Sequence, residues 1–144
     1  MEVKNALNPT ETQIATLADE NAAGPIFMVN LLKFREKAEY PDGRESDLSG
    51  EEAYGIYAAE VVEHLAKVGG GPIFSGAVSQ LLLGEVEDLW DAVAIAMYPS
   101  RQKMLEMVMD PAYMESAVHR TAGLEGQLNI ETTGAGALAL QTGF

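Results

Sequence analysis

The chain has 144 residues, a net charge of −13 and no cysteine, which fits one domain with a buried core. The absence of thiols excludes disulfides, thiolate metal sites and cysteine nucleophiles. The negative charge argues against binding to nucleic acid or to anionic membranes, and because the chain has two histidines and no nucleotide or metal motif, we expect no cofactor and no metal.

The chain starts without the basic residues and apolar core of a signal peptide. No apolar run elsewhere reaches the length of a transmembrane helix. We therefore expect a cytoplasmic protein.

Residues 1–23 are predicted to form an N-terminal helical extension. Asn8 has the position of an N-cap, Pro9 that of the first helical residue and Glu11 that of the third. A narrow apolar stripe follows, which is typical of a helix that packs on the outside of the main domain.

The strongest strand pattern covers residues 26–35, which follow a Gly-Pro pair and are mostly apolar. Such a run is typical of a strand that is buried on both faces, so we expect it in the centre of a sheet. Asn30 interrupts the run, and a buried amide needs hydrogen-bond partners. Asn30 is therefore either a structural tie or part of a ligand pocket.

A long polar connection, residues 36–48, joins this strand to the first long helix. Long connections are often functional, and this one is a candidate flap over a pocket. Ser49 and Glu52 then form the capping box of a helix that is predicted to end near Val68. Its buried face is predicted from helical spacing: Tyr54, Tyr57, Val61, Leu65 and Val68.

The second and third strands have different patterns. Small residues interrupt the second, residues 72–84, so a bulge or bend is expected there. In the third, residues 90–98, one face carries bulky side chains and the other carries alanines between Trp90 and Tyr98. Either large neighbours lean over these alanines, or a cavity is left open beside them.

A helix capped by Ser100 follows the third strand. Asp110 and Pro111 interrupt and restart it, as N-cap and first helical residue. His119 and Arg120 come in its last turn, where cations interact favourably with the helix dipole.

The last predicted strand is residues 125–133, so the order after the leading helix is β-α-β-β-α-β. This order is typical of the ferredoxin-like α+β fold, in which an antiparallel four-stranded sheet carries both helices on one face. We assign residues 24–133 to this domain and 134–144 to a C-terminal tail. The uncovered face of the sheet is also apolar, so its simplest cover is a second copy, which predicts a homodimer.

Two groups of motifs resemble a known family. One is the strand at residues 27–34, and the other combines Tyr98-Pro99-Ser100-Arg101 with residues 107–113 and 119–125. Together they resemble a domain-of-unknown-function family of uncharacterised bacterial proteins within the dimeric α+β barrel superfamily. The resemblance implies the fold and a dimer, but no reaction. Other members of that superfamily are cofactor-independent monooxygenases, haem-degrading enzymes, lactone isomerases and stress-response proteins, an analogy at the level of the fold.

Three residues are candidates for catalysis, each with a structural alternative. Asn30 can polarise a carbonyl or orient an enolate, or it is a hydrogen-bonded strand amide. His119 is an acid or base at a pocket rim, or a solvated residue at a helix end. His64 faces the cleft with Tyr57 and Glu60, or it is a partly buried histidine bonded to a neighbour.

Six residues are candidates for substrate binding. Trp90, Tyr98 and Tyr57 would wall a flat apolar molecule, or they are core aromatics. The cations Lys33, Arg35 and Arg120 would bind a carboxylate, or they are solvated. Because adjacent helical residues point about 100° apart, we expect that His119 and Arg120 do not both face one ligand atom.

These residues leave three functions open. The first is a small-molecule enzyme or binding protein with a mostly apolar pocket, of cofactor-independent oxygenase or isomerase type, lined by Asn30, Ala94, Ala96 and Tyr98. The second is a non-catalytic dimer with a structural or stress-related role. The third is a haem-binding or haem-degrading protein, which needs His64 or His119 to face the cavity.

Overall fold

The computed structural model describes residues 2–19 and 24–134 of the chain. The elements within these residues are α1 (Glu11–Leu17), β1 (Ile26–Phe34), α2 (Gly50–Lys67), β2 (Gly71–Ala77), β3 (Ala92–Tyr98), α3 (Arg101–Val108), α4 (Pro111–Gly123) and β4 (Leu124–Thr132). The strands form one antiparallel sheet in the order β2-β3-β1-β4. This is the predicted ferredoxin-like α+β fold, and β1 has the predicted interior position.

Three helix starts agree with the sequence prediction. The Ser49 hydroxyl accepts from the Glu52 N–H at 3.0 Å, and the Glu52 carboxylate accepts from the Ser49 N–H at 2.9 Å. Ser100 caps α3, and Asp110 caps α4 with Pro111 as the first helical residue. Side-chain acceptors thus satisfy N–H groups that a helix start leaves unpaired.

The prediction for the start of α1 is wrong by two residues. Thr10, and not Asn8, is the N-cap, and Glu11 is the first helical residue instead of the third. The Gln13 N–H donates to the Thr10 hydroxyl at 3.2 Å, and the Thr10 N–H donates to the Gln13 side chain at 2.9 Å. This reciprocal capping box satisfies two backbone donors, which a lone Asn8 would not do.

The strand β2 ends at Ala77, earlier than predicted, and β3 begins later than predicted, at Ala92. Ala77 and Ala92 are partners across the two strands, so residues 78–91 form the connection between them. Trp90 therefore precedes the strand and is not its first residue. The expected irregularity in β2 is present as a shift in its register with β3.

The helices α2 and α4 pack against each other on one face of the sheet, and their backbones touch at Gly50 and Gly123. A Cβ at Gly50 would collide with the Gly123 carbonyl oxygen, and a Cβ at Gly123 would collide with that of Gly50. Only glycine permits this approach. The main core lies between these helices and one end of the sheet and includes Ile26, Met28, Tyr57, Leu65, Val68, Tyr98, Met107 and Tyr113.

The connection at residues 36–48 is anchored to the helices. Ala38 and Tyr40 are buried and cluster with Ala53 and Ala122 of α2 and α4. Two of its apolar side chains thus belong to the core, whereas Pro41 of the same connection lines the largest described pocket, so its role as a flap stays a prediction.

The other face of the sheet, here called the outer face, carries Phe27, Val29, Leu31, Met97 and Ile130. These residues alternate with the helix-facing ones, and Phe27 pairs with Met97 and Val29 with Ile130. Ile130 is 44% exposed. The other four residues are half-buried, and Gly134 lies beside the Phe27 ring.

None of the helices in the described residues combines the length and the apolar character needed to cross a bilayer. The predicted C-terminal tail lies outside the described residues except for Gly134.

Candidate functional site

A cavity of about 1030 Å³ lies between the helix-facing side of the sheet and the helices, and it is partly open to solvent. Its lining is mostly apolar and includes residues of β1, β3, α2 and α4, together with residues of the N-terminal segment. Cavities that hold small molecules are usually ~300–1,000 Å³ and mostly apolar, with a few polar groups. We refer to this space as the cavity.

The small side chains of β3 create the space of the cavity beside the middle of the sheet. Ala94 lies opposite Asn30, and Ala96 lies opposite Met28. Asn30, Ala94, Ala96 and Tyr98 all line the cavity, as the first hypothesis requires. The geometry favours the open alternative at the alanines, whereas the presence of a ligand there stays a prediction.

Asn30 lines the cavity, but its side-chain amide is fully engaged by the protein. Its Nδ2 donates to the Ala94 carbonyl at 3.0 Å and to the Met28 carbonyl at 3.3 Å. Its Oδ1 accepts from Gln127 Nε2 at 2.8 Å. No N–H of this amide is left to polarise a ligand carbonyl, so in this arrangement Asn30 acts as a structural tie in the cavity wall.

Gln127 connects Asn30 to Arg120 through a buried amide. Gln127 is 7% exposed, and its Oε1 accepts from Arg120 Nε at 3.0 Å and from Nη2 at 2.6 Å. Its Nε2 also donates to Asn129 Oδ1 at 2.5 Å. The amide orientation is thus fixed at both ends, and it holds the guanidinium of Arg120 in the cavity wall.

Arg120 is a half-buried cation with only neutral partners. Besides Gln127, its Nη2 donates to the Leu7 carbonyl at 2.9 Å. None of the salt bridges in residues 2–19 and 24–134 involves Arg120, and no described residue accepts from its Nη1. A charge that is removed from water normally has a counter-ion. The cavity therefore presents an uncompensated positive charge beside an apolar surface.

Four tyrosines line the cavity: Tyr54, Tyr57, Tyr98 and Tyr113. The hydroxyls of Tyr57 and Tyr113 are hydrogen-bonded at 2.9 Å, whereas those of Tyr54 and Tyr98 have no such partner among the described residues. Burial raises the pKa of Tyr54 to about 12, although the Arg120 charge opposes the rise. Burial also raises the pKa of Tyr57 and Tyr98. These hydroxyls stay protonated at neutral pH and can donate to a ligand oxygen.

Of the nine candidate residues, four line the cavity: Asn30, Tyr57, Tyr98 and Arg120. The structure places the other five elsewhere: Lys33, Arg35, His64, Trp90 and His119. Gln127 and Tyr54 were not candidates. The sequence could have indicated Tyr54, because it lies on the same helical face as Tyr57. It also shows that Gln127 alternates with Leu128 along a strand. The position of Gln127 beside Asn30, however, depends on the register between β4 and β1, which the sequence does not reveal.

His64 is buried between α2 and α4, bonded to a neighbour, as in the structural alternative. Its Nε2 lies 2.9 Å from the Ser116 hydroxyl, which donates to Glu60 at 2.7 Å. Because the one hydroxyl proton is used there, Nε2 must donate to Ser116. The buried Nδ1 has no partner among the described residues.

His119 points away from the cavity, to the connection at residues 36–48. Its Nδ1 lies 2.7 Å from the Tyr40 hydroxyl, and the two rings meet edge to face. Arg120, the next residue in α4, lines the cavity instead, as the angle between adjacent helical residues led us to expect. Since neither His119 nor His64 lines the cavity, the haem hypothesis lacks the histidine ligand that it requires.

The other two predicted cations are paired on other surfaces. Lys33 Nζ lies 2.9 Å from an Asp88 oxygen and donates to the Leu89 carbonyl, next to Trp90 in the connection between β2 and β3. Arg35 Nη1 lies 3.2 Å from Glu39. These pairs leave Arg120 as the predicted carboxylate-binding cation that reaches the cavity.

The sheet order and the layer of helices define this chain as an α+β protein of ferredoxin-like fold. The chain belongs to the family described as Domain of unknown function (DUF1330), which matches residues 44–132. The predicted family resemblance is therefore confirmed.

Solved structures support the same assignment. The chain is similar to RPA0582, a protein of unknown function from Rhodopseudomonas palustris, with 34% identity over 90% of this chain and 96% of that one and a TM-score of 0.78. It shares the fold with At3g17210 from Arabidopsis thaliana, with 16% identity, coverage of 78% and 97%, and a TM-score of 0.55. It also shares the fold with SnoaB, a cofactor-independent oxygenase from Streptomyces nogalater, with 16% identity, coverage of 81% and 98%, and a TM-score of 0.50. The comparison with curated proteins found no match.

Proposed function

We propose that the cavity binds one small, mostly apolar molecule that carries an anionic oxygen group, such as a carboxylate or an enolate. The observation that carries this proposal is Arg120, a half-buried cation without a salt bridge among the described residues, in the wall of an apolar cavity. An anionic ligand group would supply its counter-ion, and the apolar part would fill the space beside Ala94 and Ala96.

The tyrosines extend this proposal to the orientation of the ligand. Tyr54 and Tyr98 have hydroxyls without hydrogen-bond partners in the described structure, and their raised pKa values keep them neutral donors. A second oxygen of the ligand would accept from them, as in sites that hold negative oxygen with fixed donors. The ligand would lie between the Arg120 guanidinium and these hydroxyls.

The direct test of binding is fluorescence titration with 2-naphthoate, an apolar bicycle with one carboxylate. Ala94→Leu should lower its affinity about tenfold or more, because the added side chain takes up space in the cavity. Ala59→Leu is the matched control, since Ala59 is exposed on α2 and does not line the cavity. Equal affinities for the two variants would place the binding site outside the cavity.

The proposal extends from binding to catalysis in the same cavity. Fixed donors around the ketone oxygen would stabilise the enolate that forms when solvent hydroxide removes the α-proton as water, and enolate stabilisation is the chemistry that cofactor-independent oxygenases and isomerases share. The likeness to SnoaB supports this direction only at the level of the fold. The test is exchange of the α-protons of 2-tetralone for deuterium, followed by NMR. Acceleration by the wild type that is lost in Arg120→Met supports an enzyme, and the absence of acceleration supports a binding protein.

We also propose a homodimer formed through the outer face. Phe27, Val29, Leu31, Met97 and Ile130 form an apolar surface, on which the first four residues are half-buried and Ile130 is 44% exposed. Continuous apolar surface of this kind is typical of protein interfaces. A dimer without cavity binding would support the second function, a non-catalytic role.

A further inference from the structure

Residues 2–19, here called the strap, meet the free edge of β4 at Ala6 and contact α3 through α1. The Ala6 N–H donates to the Gln127 carbonyl at 3.2 Å, and the two residues form an isolated antiparallel bridge. The Asn5 side chain packs where Gly126 has no Cβ, since a Cβ there would collide with it. The strap therefore sits on the strand that supplies Gln127 to the cavity wall.

Two arginines that line the cavity donate hydrogen bonds to backbone carbonyls of the strap. Arg120 donates to the Leu7 carbonyl at 2.9 Å. Arg101, which is paired with Glu131, donates to the Thr16 carbonyl at 3.5 Å. The segment between these two contacts includes lining residues of the cavity.

Apolar burial contributes little to the position of the strap. Its helix α1 has no buried residue, and Ile14 is 46% exposed. A seven-residue helix is also marginal by itself. The strap is thus held mainly by hydrogen bonds that solvent or a ligand can replace.

We propose that the strap gates the cavity and that the anionic group of a ligand opens it by taking Arg120 from the Leu7 carbonyl. A carboxylate is a stronger acceptor for a guanidinium than a neutral carbonyl is. A carboxylate that accepts from both Nη1, which no described residue uses, and Nη2 replaces the Leu7 carbonyl at Nη2 and therefore favours the state in which the strap is released. This inference rests on the proposed function, because it needs an anionic ligand at Arg120.

Gly126→Ala is the variant that releases the strap without changing a cavity-lining side chain. Its new Cβ would displace Asn5, and Gly126 does not line the cavity. Gly71→Ala is the matched control, a glycine in a strand where a Cβ meets no atom within 4 Å. Both substitutions are made in the full chain, and circular dichroism confirms that each variant is folded.

Two readouts separate the gate from the binding site. Hydrogen exchange of the Ala6 N–H reports the strap, and stopped-flow association of 2-naphthoate reports entry to the cavity. We expect that Gly126→Ala increases both the exchange rate and the association rate constant by about fivefold or more, the lower range of typical coupling, and that Gly71→Ala changes neither. Saturating 2-naphthoate should increase Ala6 exchange in the wild type by a similar factor.

An unchanged association rate in a variant whose Ala6 exchange has increased would overturn the gate while leaving the binding site intact. If Ala6 exchange is unchanged in Gly126→Ala, the same comparison is made with Ala6→Pro, which removes the donor of the bridge, and limited proteolysis within residues 2–19 then reports the release of the strap. Failure of both variants to release the strap would also overturn the proposal. Absence of cavity binding in the wild type and in the released variants would instead overturn the proposed function.

Discussion

The two faces of the sheet are built from the same strands, yet they differ in volume and in polarity. On the helix-facing side, small residues of β3 lie beside Asn30, and Gln127 joins Asn30 to Arg120. On the outer face, the larger apolar side chains of Val29 and Ile130 face each other across β1 and β4. One face therefore borders a hollow with a charge in its wall, whereas the other is continuous and apolar.

This difference indicates two kinds of partner. An unfilled cavity lowers the stability of a protein relative to a well-packed core, and a half-buried cation adds part of a desolvation cost. Both costs are offset when an anionic, apolar molecule occupies the cavity. A continuous apolar face needs neither polar groups nor a hollow, and a second protein surface can cover it. We therefore expect substitutions on the two faces to affect different measurements.

The largest effect is expected from a charge on the outer face. Val29→Asp would place a carboxylate from each subunit in the proposed dimer interface, which should weaken the proposed dimer by about 4 kcal/mol, or ~10³-fold. Sedimentation velocity over a concentration series measures this change. Ala59→Asp, which adds the same charge on exposed α2, should leave the dimer intact. If Val29→Asp dimerises like the control, the outer face is not the interface.

The next largest effect is expected at the cavity. Arg120→Met removes the guanidinium but keeps an apolar side chain, so the affinity for 2-naphthoate should fall by about 2 kcal/mol, or ~30-fold. Isothermal titration calorimetry measures the affinity. Arg44→Met is the control, because Arg44 is exposed, paired with Asp42 and outside the cavity lining. A similar loss of affinity in both variants would mean that the net charge of the protein, and not the Arg120 side chain in the cavity, determines binding.

A smaller effect is expected from the tyrosines at alkaline pH. Burial raises the pKa of Tyr54 to about 12, whereas an unfolded tyrosine ionises near pH 10. Its contribution to stability is therefore complete below pH 10 and is lost as the pH rises from about 10 to 12, by about 1.4 kcal/mol at pH 11.

Urea unfolding at pH 8 and pH 11 tests this expectation. Tyr54→Phe should lose less stability between the two pH values than the wild type does, by about 1.4 kcal/mol, because it cannot ionise in the unfolded state. An equal loss in both proteins would mean that the Tyr54 hydroxyl is not desolvated and that the helix-facing side is wetter than described.

The smallest effect on binding is expected at His119. His119→Phe removes the hydrogen bond to Tyr40 and should lower the free energy of unfolding by about 1 kcal/mol. Its affinity for 2-naphthoate should stay within about twofold of the wild type, since His119 lies outside the cavity lining. A tenfold loss of affinity in the folded variant would mean that His119 contacts the ligand, as in the sequence-based alternative that places it at the rim of a pocket.

Local signals in the sequence predict most of the fold. The capping box of Ser49 and Glu52 and the Asp110-Pro111 pair mark helix starts through contacts within a few residues. The alternation in β3 also indicates which face carries the alanines. In contrast, the end of β2 depends on its pairing with Ala92, and that pairing is set by the tertiary fold.

The candidate site was only partly predictable for the same reason. Helix geometry correctly predicted that His119 and Arg120 point in different directions, because the angle between adjacent helical residues is set locally. Gln127 was missed, since its contact with Asn30 joins residues 97 positions apart in the chain. The neutral surroundings of Arg120 are likewise a property of the packed structure, and the sequence presents it only as one of several cations.

The central claim is that an anionic group of an apolar ligand binds Arg120 in the cavity. It is tested most directly by calorimetric titration of 2-naphthoate and its neutral amide, 2-naphthamide, into the wild type and Arg120→Met. We predict that the wild type prefers the carboxylate by about tenfold or more and that Arg120→Met shows no preference. Equal affinity of the wild type for both compounds, or an unchanged preference in Arg120→Met, would contradict the claim.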